Sequence, residues 1–285
     1  MVTISVLMPV YNADRFIKET IDSILCQSFR DFEVLVMDDG STDCSANIIL
    51  SYSDPRIHYE LCPHDFIATL NRGIEIAQGK YIARIDHDDL MTPDRLQIQY
   101  DFMEANPHIA ACGACMQTFG NSSYTINVLT EHDDIVQYML LGNPMANPTG
   151  FIRRSFLLEH NIRHEDGYFF ADDFKLWSEI VKAGGKLANI PKTLTKYRTS
   201  DKQASVVNYG QMMAASRVIR YEMLQYFLKS FIPTDKLGET VAEKVLPSIE
   251  ELNDRGFFSQ DTYFKFMYDL IHGLSQRNSF NFQKK

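Results

Sequence analysis

The sequence predicts an α/β fold in which a mostly parallel central sheet is covered by helices and followed by a C-terminal helical extension. Three observations support this prediction. The first hundred residues alternate short apolar, β-branched runs with segments whose apolar residues recur at helical spacing. The 285 residues are 45% hydrophobic, enough to bury a sizeable core. From about Val207 onward the pattern is helical and rich in aromatic residues.

The elements of the first hundred residues follow one another as strand and helix. The predicted strands are residues 4–10, 33–37, 57–61 and 81–85. The predicted helices are residues 17–25, 46–50 and 66–77, and Pro93 is expected in the first turn of a fourth. Repeated units of this kind produce a parallel sheet with helices on both faces. Such sheets bind ligands beyond the carboxyl ends of their strands.

The pattern after residue 100 is mixed. We predict strands at 109–118 and 124–129, and helices at 133–141 and 172–183, the latter ended by Gly184 and Gly185. The helical tail is interrupted at Pro233 and Pro247. Its many aromatic residues are expected mainly in the core, and an interface with a partner or a membrane surface is the alternative.

Composition narrows the class of protein. There are 28 Lys and Arg against 37 Asp and Glu, a net charge of −9, which argues against a nucleic-acid partner. The five cysteines do not suggest a disulfide framework, and Cys112 and Cys115 are expected in a buried strand rather than at a metal. We find no run long enough to span a membrane and no signal peptide, so a cytoplasmic protein is expected.

Acidic residues cluster where two predicted strands end. Asp38-Asp39-Gly40-Ser41 follows the second strand, and Asp86-His87-Asp88-Asp89 follows the fourth. Like charges repel, so both clusters need a cation or a ligand rich in donors. Two Asp separated by one residue can present oxygens to Mg²⁺ or Mn²⁺. The alternative is structural, because an Asp-Gly-Ser turn commonly caps the next helix.

Several common catalytic patterns are missing from the sequence. There is no Walker A loop, no GxGxxG, no HExxH and no GxSxG, which weakens kinase, dehydrogenase, zincin and hydrolase interpretations. The second acidic cluster is not an EF-hand loop, because Met91 stands where Gly is needed. The other histidines, including His58, His64, His108 and His272, show no ligand spacing and are expected at the surface or in packing roles.

Taken together, the motifs resemble family 2 glycosyltransferases of the GT-A fold, most closely the bacterial exopolysaccharide and amylovoran type. The matching pieces occur in the family's order: 9–12, 38–43, 71–73, 79–89, 93–96, 147–149, 153–155, 172–177, 189–191 and 197–198. The resemblance covers about residues 1–205. It implies a nucleotide-sugar half at 1–100 and an acceptor half at 101–205, which leaves 206–285 as a helical extension.

The resemblance implies an inverting transfer from a UDP- or GDP-sugar to an acceptor hydroxyl of a glycan or a lipid-linked saccharide, assisted by Mn²⁺ or Mg²⁺. By position, Tyr11 and Asp39 would contact the nucleotide base, and Asp88 would ligate the metal. Asp86 would bind the ribose or support the metal. Asp173 would be the general base. The further residues implied are Pro9, Asn12 and Arg84 on the donor side, and Asp172 and Arg198 as acceptor-facing or supporting residues.

The sequence departs from the family pattern at three positions. Ser200 and Asn147 stand where many relatives carry His, and Asp172 replaces the usual Glu. These changes keep open a non-catalytic nucleotide-sugar-binding module as an alternative. A sugar-phosphate nucleotidylyltransferase is less favoured, because it would need a Gly-rich basic loop where Pro9-Val10-Tyr11-Asn12 stands. The tail is expected to provide peripheral contact with the inner membrane face or a homo-oligomer contact.

Overall fold

The computed structural model describes residues 2–201 and 203–230, together with 247, 250, 253–256, 259 and 261–269. The strands are β1 (Ile4–Val10), β2 (Phe32–Asp38), β3 (Ile57–Leu61), β4 (Tyr81–Arg84), β5 (Leu90–Met91), β6 (Ile109–Gly120), β7 (Thr125–Ile126), β8 (Phe151–Arg153) and β9 (Lys186–Thr199). The helices are α1 (Ile17–Leu25), α2 (Ser45–Leu50), α3 (Phe66–Ile76), α4 (Arg95–Ala105), α5 (His132–Tyr138), α6 (Arg154–Glu159), α7 (Asp172–Lys182), α8 (Ala204–Val207) and α9 (Tyr209–Ser230).

The nine strands of the described residues form one sheet in the order β3-β2-β1-β4-β8-β6-β9-β5, with β7 beside β6. The first four strands in this order are parallel. β8 runs antiparallel between β4 and β6, and the two longest strands, β6 and β9, are parallel. Parallel pairing therefore dominates the sheet, as the sequence predicts.

Helices cover both faces of the sheet, and β1 shows why. Its residues Ile4, Val6, Met8 and Val10 pack with α1 and α4 in one apolar cluster. Leu7 points to the opposite face and joins a second cluster with residues of α3, α5, α7 and α9. Because successive side chains of a strand point to opposite faces, a strand buried on both sides is apolar throughout. This pattern confirms the expectation of a helix-covered sheet.

The strand β9 is the main element that the sequence analysis missed. Pro191 lies inside it, and a proline in a strand pattern normally argues against a central strand. The structure accommodates it with a bulge, since Ala114 pairs with Ile190 whereas the next residue, Cys115, pairs with Thr193. The missing proline N–H therefore falls where the ladder is already interrupted.

Smaller corrections concern element ends and short strands. The strand predicted at 124–129 is only two residues long, and the helix expected to open at Pro93 begins at Arg95. The short elements β5, β8 and α6 were not predicted, because two to six residues carry too little periodicity. Cys112 and Cys115 do lie buried in β6, as expected.

The described part of the C-terminal extension shares a core with the preceding residues. Ile219, Met223, Leu224 and Phe227 of α9 pack in the same cluster as α7. The aromatic residues of the tail behave in part as predicted: Phe227, Tyr263 and Phe264 are buried, whereas Tyr221 and Phe266 are exposed. The predictions that concern Phe231, Pro233, Phe257, Phe258 and His272 lie outside the described residues. None of the described helices has the length and apolar character needed to cross a bilayer.

Candidate active site

The loops that follow β1 and β2 are joined at the carboxyl edge of the sheet. The Asp39 N–H donates to the Val10 carbonyl at 2.8 Å. Asn12, in the left-handed conformation with φ of 49°, donates its N–H to Ser41 Oγ, and its Oδ1 accepts from the Thr42 N–H at 2.8 Å. The Asn12 side chain thus holds the two loops together beneath the exposed ring of Tyr11. Pro9 is buried in β1, so it can shape the donor side only indirectly.

The neighbouring carboxylates of Asp38 and Asp39 have different surroundings. Asp38 is fully buried, and its oxygens accept from the Ser41 N–H and the Tyr59 hydroxyl. It therefore stabilises the turn itself and does not cap the next helix, α2, at which no side-chain cap is formed. In Asp39, Oδ1 accepts from the Asp65 N–H and the Thr69 hydroxyl, both at 2.8 Å. The other oxygen, Oδ2, lies 2.9 Å from His64 Nδ1.

His64 covers Asp39 and stacks on Tyr11. The two rings are 4.5 Å apart at their centroids and 21° from parallel. His64 Nδ1 also lies 2.9 Å from the backbone oxygen of Asp39. Both of its neighbours are acceptors, so Nδ1 carries the hydrogen. His64 is exposed, as the sequence analysis expects, but its contacts fall on the two residues implied in base recognition.

Arg84 orients Asp86 from within the sheet. Its guanidinium is buried and donates through Nη1 to the Leu7 carbonyl at 3.1 Å and through Nη2 to Asp86 Oδ1 at 3.1 Å. Its contacts are therefore with the sheet and with Asp86, and a direct contact with a donor stays a prediction.

Arg198 holds the turn that carries Asp88 and Asp89. Its backbone N–H donates to Asp89 Oδ1 at 2.8 Å, and its Nε donates to the Asp88 carbonyl at 2.9 Å. The guanidinium lies between the rings of Phe16 and Phe119, at 4.2 and 4.4 Å from their centroids. This arrangement fits the supporting role that the resemblance implies for Arg198 and leaves little of the side chain for an acceptor.

Carboxylates crowd the acidic turn, residues 86–89, although Arg84 pairs with Asp86 and Arg198 bonds the Asp88 carbonyl. Burial raises the pKa of Asp88, and the charge of Asp86 adds to the effect. The pKa of Asp89 is raised well above its usual range by burial and by the charges of Asp86 and Asp88. Asp89 Oδ2 is buried and finds no hydrogen-bond partner among the described residues. Such a cluster is compatible with a divalent cation, which would relieve the repulsion between carboxylates.

In the described part of the chain, no group of three or more His, Cys, Asp or Glu side chains could hold a metal ion by itself. Asp86 and Asp88 are the two carboxylates of the acidic turn that keep part of their surface exposed. A cation bound there would need further oxygens from water or from a ligand phosphate, as is usual for Mg²⁺.

Asp172 and Asp173 come from a later part of the chain than the acidic turn. They lie in the first turn of α7, and Asp173 Oδ2 accepts from Asn143 Nδ2 at 2.7 Å. Burial raises the pKa of Asp173 to about 7, and the charges of Asp172 and Asp86 add to the rise. Because the charge of Asp86 reaches Asp173, the end of β4 and the start of α7 lie near each other, and the space between them is called the cleft below.

His164 lies between Asn71 and Asp172, and only its contacts with Asn71 are hydrogen bonds. Asn71, part of a quoted family motif, donates through Nδ2 to the His164 carbonyl at 2.9 Å and accepts from the His164 N–H at 2.9 Å. His164 Nδ1 in turn lies 3.1 Å from Asp172 Oδ2. The side chain of one residue thus fixes the backbone of another that is 93 positions away.

Sequence reasoning did not single out His64, His164 or Asn143. Of the residues that contact them, Asn71 belongs to the quoted motif 71–73, and the sequence analysis assigned it no role. Of the three departures from the family pattern, Asn147 begins a short 3₁₀ helix and is partly buried, Ser200 donates its N–H to Gln203 Oε1, and Asp172 lies beside His164.

Comparisons with known proteins agree on one family. The model described as glycosyl transferase family 2 matches residues 5–178. An uncharacterized glycosyltransferase of Haemophilus influenzae is 33% identical over 264 residues, which is 87% of this chain and 79% of the relative. The O-antigen biosynthesis glycosyltransferase WbnJ of Escherichia coli is 28% identical and covers 80% of this chain and 89% of its own length.

Two solved structures share the fold. Staphylococcus aureus TarS 1–349 in complex with UDP-GlcNAc superposes with a TM-score of 0.66 at 17% identity, over 88% of this chain and 79% of TarS 1–349. The mannosyltransferase PcManGT of Pyrobaculum calidifontis in complex with GDP-Man and Mn²⁺ has a TM-score of 0.56 at 15% identity, over 99% of this chain and 88% of PcManGT. At these identities the likeness concerns the fold alone.

Proposed function

The chain belongs to glycosyltransferase family 2, and on that basis we propose that it is an inverting, metal-assisted enzyme whose general base is Asp173. It has the GT-A fold and is a glycosyltransferase that uses a nucleotide-sugar donor, rather than a sugar-phosphate nucleotidylyltransferase. The inversion, the metal and the base are the proposed parts.

The observation that carries the proposal is that the charge of Asp86, in the acidic turn, reaches the Asp173 carboxylate. A single displacement with inversion needs a base on the side of the sugar away from the leaving diphosphate. Asp173 comes from α7, whereas Asp86 comes from the end of β4, and the charge of Asp86 acts on Asp173. A pKa near 7 suits a group that must accept a proton at neutral pH.

The role of each neighbour follows from its contacts. Asn143 donates to Asp173 Oδ2 and would leave Oδ1 for the proton of the acceptor hydroxyl. The link from Asn71 through His164 to Asp172 would hold the first turn of α7 in place. Arg198 would keep the Asp86–Asp89 turn in the shape that donor binding requires.

Asp86 and Asp88 are the residues proposed to hold the metal. The charges of Asp86 and Asp88 raise the pKa of Asp89 even with Arg84 and Arg198 nearby, and two carboxylates leave room for phosphate oxygens. When bound, a divalent ion there would neutralise charge on the leaving diphosphate. The presence of Mn²⁺ with GDP-Man in the solved PcManGT structure is in line with this part of the proposal.

The donor is proposed to be a UDP- or GDP-sugar whose base meets Tyr11 and Asp39. TarS, which has a similar fold, has been solved with UDP-GlcNAc, and this is in line with a UDP-sugar donor. The acceptor is proposed to be a hydroxyl of a glycan or a lipid-linked saccharide on the cytoplasmic side of the membrane. The relative named for O-antigen biosynthesis is in line with such an acceptor.

Calorimetric titration with UDP and GDP, with and without Mn²⁺, tests the donor and metal parts. We expect binding that strengthens at least about tenfold with Mn²⁺, and we expect Asp88→Asn to lose that gain. A diphosphate that binds equally with and without the metal would contradict metal assistance.

The base is tested by slow hydrolysis of the donor, which needs no identified acceptor. Asp173→Asn should lower the rate at least about a hundredfold. The matched control is Asp133→Asn, because Asp133 is an exposed acid in the first turn of α5 and lies outside the cleft. An Asp173→Asn enzyme with the original rate would exclude Asp173 as the base.

A further inference from the structure

We propose that Glu222, in the C-terminal helix α9, is a positioning residue for Asp173. It holds both the loop that leads into α7 and α7 itself, so that α9 forms part of the catalytic site. This inference rests on the proposed function, because it takes Asp173 as the general base. Glu222 lies beyond residues 5–178, the part of the chain that the family model matches, so the family likeness assigns it no role.

The first step is the set of contacts that the Glu222 carboxylate makes. Its Oε1 accepts from the Tyr168 hydroxyl at 2.6 Å. Its Oε2 accepts from Lys175 Nζ at 2.8 Å and from Lys182 Nζ at 2.7 Å. Tyr168 lies five positions before Asp173, and Lys175 lies two positions after it. One carboxylate therefore holds the chain on both sides of the proposed base.

The second step is that these contacts are strong and permanent. Lys175 is buried, and its ammonium also lies 4.6 Å from the centroid of the Tyr168 ring. Burial opposes its charge, but hydrogen bonds to Glu179 and Glu222 hold the pKa of Lys175 above its usual range. Burial opposes the charge of Glu222 as well, yet its three hydrogen bonds lower its pKa to about 2. Both groups thus stay charged over the pH range in which a base can be assayed.

The third step concerns the loop itself, residues 163–171. Phe170 has a φ of 59°, in the left-handed region, which is rare for a bulky side chain. Such a conformation persists only where surrounding contacts fix it. The Ala171 N–H donates to the Tyr168 carbonyl at 3.0 Å and closes the turn around Phe170, while Glu222 fixes the Tyr168 hydroxyl. A loop that relaxed would move the first turn of α7, which follows directly.

The loop is held at two points by distant parts of the chain. Asn71 of α3 bonds the backbone N–H and carbonyl of His164, at the start of the loop. Glu222 of α9 bonds Tyr168, near its end. Because the second point is the nearer one to Asp173, losing Glu222 should disturb the base more directly than it disturbs any other group proposed to take part.

The effect should fall on the rate and not on donor binding. Misplacing a reacting group by about 1 Å can cost about a hundredfold in rate. Apolar packing still holds α7 when Glu222 is lost, so we expect a smaller loss in kcat, about ten- to thirtyfold. The residues proposed to bind the donor lie on the loops after β1, β2 and β4, so the KM for the donor should stay the same.

The test is steady-state hydrolysis by the full chain with Mn²⁺, using whichever of a panel of UDP- and GDP-sugars the original protein hydrolyses fastest. Glu222→Ala should lower kcat about ten- to thirtyfold and change KM less than about twofold. Glu222→Gln, whose amide can still bond Tyr168 and the lysines, should recover kcat to within about threefold of the original. Tyr168→Phe, which removes one hydroxyl and should fold, should lower kcat about three- to tenfold.

The matched control is Lys182→Ala. Lys182 shares Glu222 Oε2 with Lys175 but lies nine positions after Asp173, at the far end of α7. We expect it to lower the midpoint of thermal unfolding by about 2–5 °C and to leave kcat unchanged. Adding Tyr168→Phe to Glu222→Ala should lower kcat no further, because both changes remove the same link.

Several outcomes would overturn the inference. A similar loss of kcat in Lys182→Ala and Glu222→Ala would mean that general stability, not position, sets the rate. A Glu222→Gln enzyme as slow as Glu222→Ala would assign the effect to charge, and losses that multiply in the double variant would exclude the route through Tyr168. If Glu222→Ala does not fold, an unchanged kcat in Tyr168→Phe decides against the inference.

The failure of the proposed function has a different signature. An original protein that hydrolyses none of the panel, or an Asp173→Asn variant with the original rate, would overturn the proposed function and this inference with it. An inactive Asp173→Asn variant beside a fully active Glu222→Ala variant would leave the proposed function intact and overturn only the positioning role of Glu222.

Discussion

The Asp173 carboxylate is held between opposing influences. Burial raises its pKa, followed by the charges of Asp172 and Asp86, whereas the Phe174 N–H and the Asn143 amide favour the ionised form. The result is a pKa of about 7. A small change in the cleft can therefore change the charge of this residue near neutral pH, and two predictions follow from its position.

The first prediction concerns the rate of donor hydrolysis. A general base must be ionised, so kcat/KM should rise with pH through about 7 and level off above it. Steady-state rates between pH 5 and 9 check this, with Asp133→Asn as the unaffected control. A rise centred near pH 4 would show that the ionisation in the free enzyme belongs to another group.

The second prediction concerns the free energy of unfolding. Below pH 4 Asp173 is protonated in both states and has no effect. Between the unfolded pKa near 4 and the folded pKa near 7, the unfolded state loses its proton first, so folding becomes less favourable as pH rises. Asp173→Asn should therefore stabilise the unliganded protein at pH 8 by about 1–3 kcal/mol, a value reduced for partial exposure.

Denaturant unfolding of both proteins at pH 8 and at pH 4 measures this difference. The gain should be present at pH 8 and nearly absent at pH 4. A variant that is less stable than the original at pH 8 would mean that the ionised carboxylate contributes to folding, contrary to its surroundings.

At the residue scale, sequence motifs identified the carboxylates of the cleft but not their partners. The motifs include Asp39, Asp86, Asp88 and Asp173, because a family motif preserves local order along the chain, and the roles of these residues stay predictions. His164 and Asn143 make their contacts with residues 93 and 30 positions away, and no local pattern reports such a contact. Whether a motif residue is buried, as Pro9 and Arg84 are, also depends on strands that pair only in the folded sheet.

At the scale of single elements, the end of β9 controls the acidic turn between β4 and β5. Arg198 reaches the turn through its backbone N–H and its Nε, and two aromatic rings hold the guanidinium flat. Lysine would keep the charge but lose the planar stacking and the fixed direction of the donor.

The third prediction is that Arg198→Lys weakens Mn²⁺-dependent UDP binding about tenfold and lowers stability by only about 1–2 kcal/mol. The matched control is Arg56→Lys, because Arg56 also lies over an aromatic ring, that of Phe32, and bonds an acid, Asp54, but on the far side of β2 from the cleft. Titration with UDP and thermal unfolding check both. Equal effects of the two changes on UDP binding would argue against a special role for Arg198.

Strand β9 also shows why some elements could not be predicted from the sequence. The β-strands of the first half were found because each is short, apolar and followed by a periodic helix. β9 has 14 residues with exposed positions and an internal proline. Its continuity depends on the bulge opposite Ala114 and Cys115, which only the pairing with β6 reveals.

At the scale of the whole molecule, α9 is joined to α7 by charge and by apolar packing. Lys175, which is buried, lies 2.8 Å from Glu222 Oε2, and Lys182 lies 2.7 Å from the same oxygen. On α9, Arg220 is buried and donates through Nε to the Leu140 carbonyl at 2.9 Å. These contacts make the described part of the C-terminal extension continuous with the catalytic fold, although the boundary near 205 stays a prediction.

The fourth prediction follows from this packing. A chain truncated after residue 205 should not fold stably, because it loses Ile219, Met223, Leu224 and Phe227, whose burial contributes about 6–12 kcal/mol, as much as the whole stability of a typical domain. Circular dichroism and binding of a hydrophobic dye measure the loss. A truncated chain that melts cooperatively at the original temperature would show that the extension is independent.

Because truncation is expected to unfold the chain, the predicted membrane or oligomer contact of the tail is tested by surface substitutions instead. Val218 and Tyr221 of α9 are about half exposed and lie three positions apart, so they share one side of the helix. Replacing both by Asp should leave the core intact, since their neighbours Ile219 and Leu224 face inward. Sedimentation with vesicles and size-exclusion chromatography then report on the predicted attachment without unfolding the enzyme.

The hydrogen bonds between Asn71 and His164 also bear on synthesis of the protein. A nascent chain that has released only its first 160 residues contains the donor-side loops, but neither Asp173 nor the backbone that Asn71 holds. Contacts between residues so distant in sequence form late in folding, because closing long loops is entropically costly. We therefore expect the site to be completed only after the residues beyond 160 have left the ribosome, so that an incomplete chain has no transferase activity.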